Sequence, residues 1–388
     1  MQQLSLLLLV FAAHIVLCRA ITYPKGTFTP EFIDGTGDWE ACHKTTTVFG
    51  VYVCVTKSGW SGDKRRLNHI VQVLLQLLDN DGDGNADAPV VLKKMTAASY
   101  PYYLYVATED DADRRLTGTK FHRQRFLSGM PSQGLGQMVG TGESQPNACD
   151  APRWRGADPA DRSTWVAKKG VSTGCCKQRD ASVEEVHHLI TNAAQAIWPA
   201  KWDGVKTSTA GIAAFAANGD CGWGYTNNFK SPTGANPKCT GSYAYSDDTC
   251  TEECVVTEAL YWSSVTYIGG LFTDIRAEST ENEWLMTVPD ASMKSSVDTG
   301  NKNAQTLEEG SKALYDLVSD TTSEKNKWLP AIMPDGVYCV GGGCANPYAD
   351  DKTICDSERG ELDGDSGSVP SMSVSLLVFM MTGIIILI

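Results

Sequence analysis

The chain has 388 residues, of which 46 are acidic and 33 are Lys or Arg, so its formal net charge at pH 7 is −13. This balance argues against nucleic acid and against anionic membrane surfaces as partners. The hydrophobic content of 42% is enough for a large core, and the chain shows neither internal repeats nor long acidic runs.

An apolar leader, residues 1–20, opens the chain. The run Leu6–Val10 begins its apolar core, and Cys18 and Ala20 place small residues at the two positions that a signal peptidase inspects. Cleavage is therefore predicted after Ala20. Loss of Cys18 leaves an even number of the 13 cysteines, which predicts up to six disulfides in an oxidising compartment. Three pairs are close enough in sequence to bridge: Cys42 with Cys54, Cys250 with Cys254, and Cys339 with Cys344.

Residues 21–358 are expected to form one large extracellular domain. Strands are predicted at Val48–Val55 and Tyr102–Val106, and helices near Leu67–Leu78, Val183–Ile197, Glu252–Ile268 and Leu307–Val318. Residues 125–180, rich in Gly, Pro, Ser and Asp, are expected to form a long ordered loop. Because the strands and helices do not alternate regularly, the predicted class is α+β, dominated by helices, with a small sheet and with disulfide staples.

The segment 79–90 places oxygen ligands at alternate positions between two predicted helices. Side-chain oxygens fall at loop positions 1, 3, 5 and 9, which are Asp79, Asp81, Asp83 and Asp87. Gly84 falls at position 6, where such a loop turns most sharply, and the backbone carbonyl of Asn85 falls at position 7. This pattern predicts a Ca²⁺ site.

Over about 30 residues the segment resembles the EF-hand and dockerin types of calcium loop. An EF-hand has a bidentate Glu at position 12, where this chain has Val90. The resemblance therefore implies an extracellular site with a dissociation constant on the order of 0.1 to 1 mM, whose ion fixes two helices and takes no part in catalysis. The alternative is a polar turn without an ion, since Asp, Asn and Gly favour turns.

A second cluster of possible metal ligands is the run Glu184-Glu185-Val186-His187-His188. On a helix, Glu184 and His188 project to the same side, as a pair of metal ligands does, and Glu185 stands where a general base faces a metal-bound water. The run resembles the His-Glu-X-X-His helix of zinc metallopeptidases with its first His replaced by Glu. Glu258 corresponds to the third ligand in the Glu-type branch of that family, so the resemblance implies a Zn²⁺ site.

A structural explanation of the same helix is also open. Ser182 and Glu185 fit a capping box, and Glu184 and His188 lie nearly opposite the apolar face, toward solvent or a cleft. Glu258, by contrast, lies on a helix that is apolar nearly all round and is expected to be buried, where it needs a cation or a hydrogen-bond network.

The end of the chain resembles a signal for a glycolipid (GPI) anchor. Residues 359–373 form a polar stalk with small residues at Ser366, the predicted attachment site, and residues 374–388 form a short apolar tail that is removed on attachment. A single membrane span and plain secretion are the alternatives. The tail is shorter than the ~20 residues of a spanning helix and has no flanking cation.

Two functions stay open at this level. One is a non-catalytic, calcium-binding protein of the cell surface or extracellular matrix, which binds a protein, a glycan or a mineral. The other is a hydrolase resembling zinc metallopeptidases, in an active or degenerate form.

Overall fold

The computed structural model describes residues 21–40, 42–61, 64–98, 101–106, 132–135, 181–232, 238–270, 285–286, 304–334, 336–342 and 344. Within these residues it contains nine α-helices, one five-stranded sheet, two sheets of two strands and four disulfides. The expected helix-dominated α+β fold with a small, disulfide-stapled sheet is confirmed for this part of the chain. None of the described helices combines the length and the apolar character needed to cross a membrane. The leader, the stalk with Ser366 and the apolar tail lie outside the described residues.

The strands are β1 Gly26–Thr27, β2 Ile33–Asp34, β3 Lys44–Val48, β4 Val51–Val55, β5 Tyr103–Val106, β6 Ser132–Leu135, β7 Tyr243–Ala244, β8 Leu285–Met286 and β9 Cys339–Val340. The main sheet has the order β2-β3-β4-β5-β6, antiparallel from β2 to β4 and parallel from β4 to β6. The expectation of a loop over residues 125–180 is wrong at β6. Its sequence, Ser-Gln-Gly-Leu, has no β-branched or aromatic residue, so only its pairing with β5 places it in the sheet.

The segment predicted as one strand, Val48–Val55, is a hairpin. Phe49 and Gly50 separate β3 from β4 and have positive φ values of 48° and 87°. A two-residue turn with positive φ at both positions suits the twist of antiparallel strands, and Gly50 adopts that conformation without steric cost. The prediction failed because Phe49 is apolar and buried, which disguises the turn.

The helices are α1 Lys57–Ser61, α2 Lys64–Leu78, α3 Pro89–Met95, α4 Ala181–Ile197, α5 Pro199–Trp202, α6 Thr209–Asn218, α7 Glu252–Tyr267, α8 Ala304–Gly310 and α9 Lys312–Ser319. The helix predicted at Leu307–Val318 is interrupted at Ser311, whose hydroxyl accepts a hydrogen bond from the Leu314 amide at 3.4 Å and so caps α9. Gly310, a poor helix former, precedes this cap.

The three predicted disulfides are present, and Cys221–Cys239 is a fourth. Cys42–Cys54 joins β4 to the segment just before β3.

Helix α4 lies in the middle of the described fold. It packs against α2, α3, α5 and α7 and against strands β5 and β6. With neighbours on so many sides, α4 buries polar residues as well as apolar ones.

Helix α2 holds a distant segment through side-chain amides. Gln72, Gln76 and Asn80 follow one another at four-residue spacing and hydrogen-bond to the backbone of residues 331–338. Gln72, for example, accepts a bond from the Tyr338 amide and donates one to the Phe28 carbonyl, each at 2.9 Å. The side-chain amides of Gln72, Gln76 and Asn80 thus satisfy backbone groups that are not paired within a sheet.

Replacement of Gln72 by Leu is predicted to lower the free energy of unfolding by about 2 to 4 kcal/mol, because the Tyr338 amide and the Phe28 carbonyl would each lose a partner. Urea unfolding followed by circular dichroism measures this change. Lys93→Leu, on the exposed side of α3, is the control and should change stability by less than about 0.5 kcal/mol. An equally small effect of Gln72→Leu would contradict the role given to these hydrogen bonds.

Candidate metal centres

Helix α4 buries both of its faces. Val186, Leu189, Ile190 and Ala193 lie in the core, as the periodicity predicted. Glu184 and His188 project to the other side, but their exposed fractions are only 0% and 2%, so the interpretation that they face solvent is wrong. Helix α7 packs against α4, and its buried residues include Glu258. Helix α4 begins at Ala181, so Ser182 is the second residue of α4 and does not precede the helix as a cap.

Glu184, His188 and Glu258 come together at one point. One ligand atom of each lies within 4.8 Å of the others, and the His188 Nε2 atom is 3.5 Å from Glu258 Oε2. All three residues are buried, Glu258 being 1% exposed. Neither His188 Nε2 nor Glu258 Oε2 makes a hydrogen bond among the described residues. Two buried polar atoms therefore face each other at a separation longer than a hydrogen bond.

The donor set suits a divalent metal. It offers one imidazole nitrogen and two carboxylate oxygens, which are ligands of zinc and of harder ions such as manganese and iron(II). The missing hydrogen bonds at His188 Nε2 and Glu258 Oε2 are the observation by which these residues fit a bound metal. His188 and Glu258 form an ion pair at 3.5 Å that leaves both atoms without a hydrogen bond, which costs free energy in a buried place, and coordination of a metal would remove that cost.

Glu185 lies beside the cluster of Glu184, His188 and Glu258 but is not one of its converging ligands. It is 4% exposed, and its Oε2 atom is 3.7 Å from His188 Nδ1. The His188 ring therefore has Glu258 at one nitrogen and Glu185 at the other. The predicted role of Glu185 as a general base stays a prediction.

The two neighbouring histidines have opposite electrostatic environments. Burial by itself lowers the pKa of His188, but the carboxylates of Glu258 and Glu185 outweigh it and raise the pKa to about 10. Burial, with the positive charge of His188, lowers the pKa of His187 to about 3. Without a metal, His188 is thus the cation of the cluster and His187 is neutral. A metal must displace the proton of His188 to bind its nitrogen.

His187 is a buried residue for which the sequence predicted no role. Its Nδ1 atom lies 3.2 Å from the Thr191 hydroxyl, and its ring packs beside Tyr261 and Trp328. It does not belong to the group of converging ligand atoms. The four-residue spacing from Glu184 singled out His188 in the sequence, and no comparable signal pointed to His187.

The calcium-loop residues are brought together only in part. Oxygens of Asp79, Asp81 and Asp87 lie within 4.8 Å of one another. Asp83 lies outside this group, and its Oδ1 atom accepts hydrogen bonds from the Asn85 amide and side chain at 2.7 and 3.1 Å. The group of three aspartates is the part of the predicted ligand set that could surround one ion.

Backbone geometry in the loop follows the glycines. Gly82 and Gly84 have positive φ values of 70° and 94°. At Gly84 a Cβ atom would approach the Tyr23 carbonyl to 2.7 Å, so only glycine fits. Val90, the residue at position 12, is 42% exposed and lies in α3, where it offers no oxygen from its side chain.

The first aspartate of the loop is the most buried. Asp79 accepts hydrogen bonds from the amides of Asp83 and Gly84 at 3.1 and 2.8 Å and from the Tyr338 hydroxyl. Thr22 donates to the Asn85 side chain at 2.8 Å. The hydrogen bonds of Tyr338 and Thr22 to the loop were not predicted, because both residues are far from the loop in sequence and belong to no motif.

The aspartates repel one another. Burial, helped by the negative charges of Asp81, Asp79 and Asp83, raises the pKa of Asp87 to about 7, although the Asn80 amide opposes this. Burial also raises the pKa of Asp79, against the hydrogen bonds from Tyr338 and Gly84. A cation among these oxygens would remove the repulsion.

Comparisons with models of known protein families, with curated proteins and with solved structures found no match to this chain. The arrangement of its own residues is therefore the basis for a proposal about function.

Removal of calcium is predicted to affect stability in a pH-dependent way. The folded pKa of Asp87, about 7, lies above the ordinary value of 3.8, so the calcium-free protein gains stability as the pH falls through 7 toward 4 and loses it as the pH rises. Calcium competes with that proton. The rise in melting temperature on adding millimolar calcium to chelator-treated protein should be larger at about pH 8 than at about pH 5.5.

Asp87→Asn is the matched variant for this experiment. Without this titrating group, the calcium-free protein should lose the part of its pH dependence that Asp87 contributes. A melting temperature that calcium leaves unchanged at both pH values would favour the alternative of a polar turn without an ion.

Proposed function

We propose that this chain is a metal-dependent hydrolase of the cell surface, with Glu184, His188 and Glu258 as its metal ligands. The observation that carries the proposal is the convergence of these three buried side chains, from two helices, within 4.8 Å of one another. The nearest chemical analogy is the Glu-type zinc metallopeptidase, whose third ligand also comes from a later helix. The proposed substrate class is peptide bonds of extracellular proteins.

Each ligand has a definite structural origin. Glu184 and His188 are one turn apart on α4 and therefore share a side of that helix. Glu258 reaches them from α7, which packs against α4. Zn²⁺ or a related divalent ion bound here would polarise a substrate carbonyl and lower the pKa of water. The protein's own part is to hold the ligands rigidly and to keep the surroundings dry.

The proposed cellular setting combines several features. In this proposal the signal is cleaved after Ala20, and the disulfide-bonded domain lies outside the cell, attached to the membrane by a lipid anchor at Ser366. The four disulfides of the described residues support an oxidising compartment. Calcium at Asp79, Asp81 and Asp87 has a structural role in this proposal.

A second candidate is the non-catalytic calcium-binding protein of the cell surface or extracellular matrix. Two observations favour it. The acidic loop brings its aspartates together irrespective of any reaction. The cluster on α4 and α7 is also almost fully buried, as a structural network is and as a substrate-accessible centre is not. Its partner would be an extracellular protein, glycan or mineral.

Metal analysis of the full chain, secreted by a eukaryotic host and purified without chelator, tests the first proposal. We expect about one transition metal per chain, lost in the double variant Glu184→Ala/His188→Ala. The same metal-loaded chain should cleave a denatured protein substrate, and 1,10-phenanthroline should stop the cleavage.

The control is Glu253→Ala/His43→Ala, which removes the same two residue types from exposed positions. It should keep its metal, and the melting temperatures of all three proteins show which of them are folded. Calcium alone in the native chain, unchanged in the double variant, would reject the hydrolase and favour the binding protein. A transition metal without any cleavage would keep the metal centre and reject its catalytic role.

A further inference from the structure

The His188 ring lies between two carboxylates from different helices. Glu258 of α7 faces its Nε2 atom at 3.5 Å, and Glu185 of α4 faces its Nδ1 atom at 3.7 Å. Glu185 precedes His188 by three residues, a spacing that places two side chains next to each other on a helix. Both residues are buried. The ring is therefore approached at each nitrogen by a carboxylate in a dry environment.

The two nitrogens cannot have the same role when a metal is bound. A metal ligand must offer a lone pair, so a neutral imidazole that binds through one nitrogen has its proton on the other. Nε2 is the nitrogen that faces Glu258 in the converging group. The proton then belongs on Nδ1, where Glu185 is the carboxylate beside it.

We propose that Glu185 is a positioning residue that accepts the Nδ1 proton of His188 in a hydrogen bond and so presents Nε2 to the metal. The inference rests on the proposed metal centre and assigns Glu185 a role different from that of the base implied by the metallopeptidase resemblance. In this role the separation of 3.7 Å between Glu185 Oε2 and His188 Nδ1 shortens to hydrogen-bond length. Carboxylate–histidine–metal triads of this kind orient the ring and increase its basicity.

The placement of Glu185 supports this role over that of a base. A base for metal-bound water must reach the space beyond Nε2, where the ligand atoms of Glu184 and Glu258 converge. Glu185 is not part of that convergence, and its carboxylate faces the other ring nitrogen, Nδ1. The neighbouring His187 does not compete for Glu185, since its own Nδ1 atom lies by Thr191.

Metal affinity separates the two roles. The experiment measures dissociation constants for Zn²⁺ and Co²⁺ by competition with a chromophoric chelator, in the full chain and in Glu185→Gln and Glu185→Ala. Gln keeps an oxygen that accepts the Nδ1 proton, whereas Ala has none. Loss of the triad partner should weaken metal binding about 10- to 100-fold in Glu185→Ala, whereas Glu185→Gln, which keeps the hydrogen bond and loses only the charge, should lie between that variant and the native chain.

Val186→Ala is the control for a truncated side chain at the next position of α4, and it should bind metal with native affinity at a lower melting temperature. Native affinity in both Glu185 variants, with cleavage abolished, would overturn the proposal and establish a base. Equal weakening in both variants would overturn it as well, because negative charge rather than a hydrogen bond would then be responsible.

A second measurement uses the unaltered chain. Two-bond ¹⁵N–¹H correlation spectra of the zinc-loaded protein with ¹⁵N-labelled histidine identify which ring nitrogen carries the proton. A proton on Nδ1 of His188, moved or lost in Glu185→Ala, is the expected result, and a proton on Nε2 would overturn the proposal. If the native chain binds no transition metal at all, the proposed metal centre fails first, and the assignment of Glu185 fails with it.

Discussion

The burial of ionisable side chains between α4 and α7 is the constraint on which the rest of the structure depends. Glu184, His188 and Glu258 are almost wholly withdrawn from water, and removing a charged group from water costs several kcal/mol unless a partner compensates. Buried ion pairs can often be replaced by apolar side chains without loss of stability. Such groups at the contact of two helices are therefore candidates for a chemical role such as metal binding.

The position of α4 depends in turn on α2 and on the acidic loop that follows it. Amide side chains of α2 hold residues 331–338, and the loop holds both ends of the described fold: the Tyr23 amide bonds to the Gly84 carbonyl at 2.9 Å, and the Gly341 amide to the Gly82 carbonyl at 2.8 Å. Helices α2 and α3, on the two sides of the loop, both pack against α4. The conformation of the loop is thereby linked to the placement of the helix that carries Glu184 and His188.

Local patterns predicted much of this fold, and long-range packing accounts for most of what they missed. The spacing of apolar residues predicted α2, α4 and α7 to within a few residues, and sequence proximity predicted three disulfides. The turn at Phe49 was missed because a buried aromatic residue occupies it. Glu184 and His188 were expected to face solvent or a cleft because periodicity describes one helix alone, whereas burial depends on α7, 70 residues later. The contact of Tyr338 with Asp79 has no local signal at all.

The presence of Glu184 where zinc peptidases have histidine changes the charge of the proposed centre. Two imidazoles and one carboxylate leave a divalent metal with a net positive charge, whereas two carboxylates and one neutral imidazole cancel it. A centre without net charge attracts a carbonyl oxygen less strongly and acidifies water less. Its oxygen-rich donor set also favours harder ions relative to zinc. If Glu185 increases the basicity of His188 as well, the proposed centre would retain its metal more firmly, and the proposed hydrolysis would be slow because of the same residues that make binding strong.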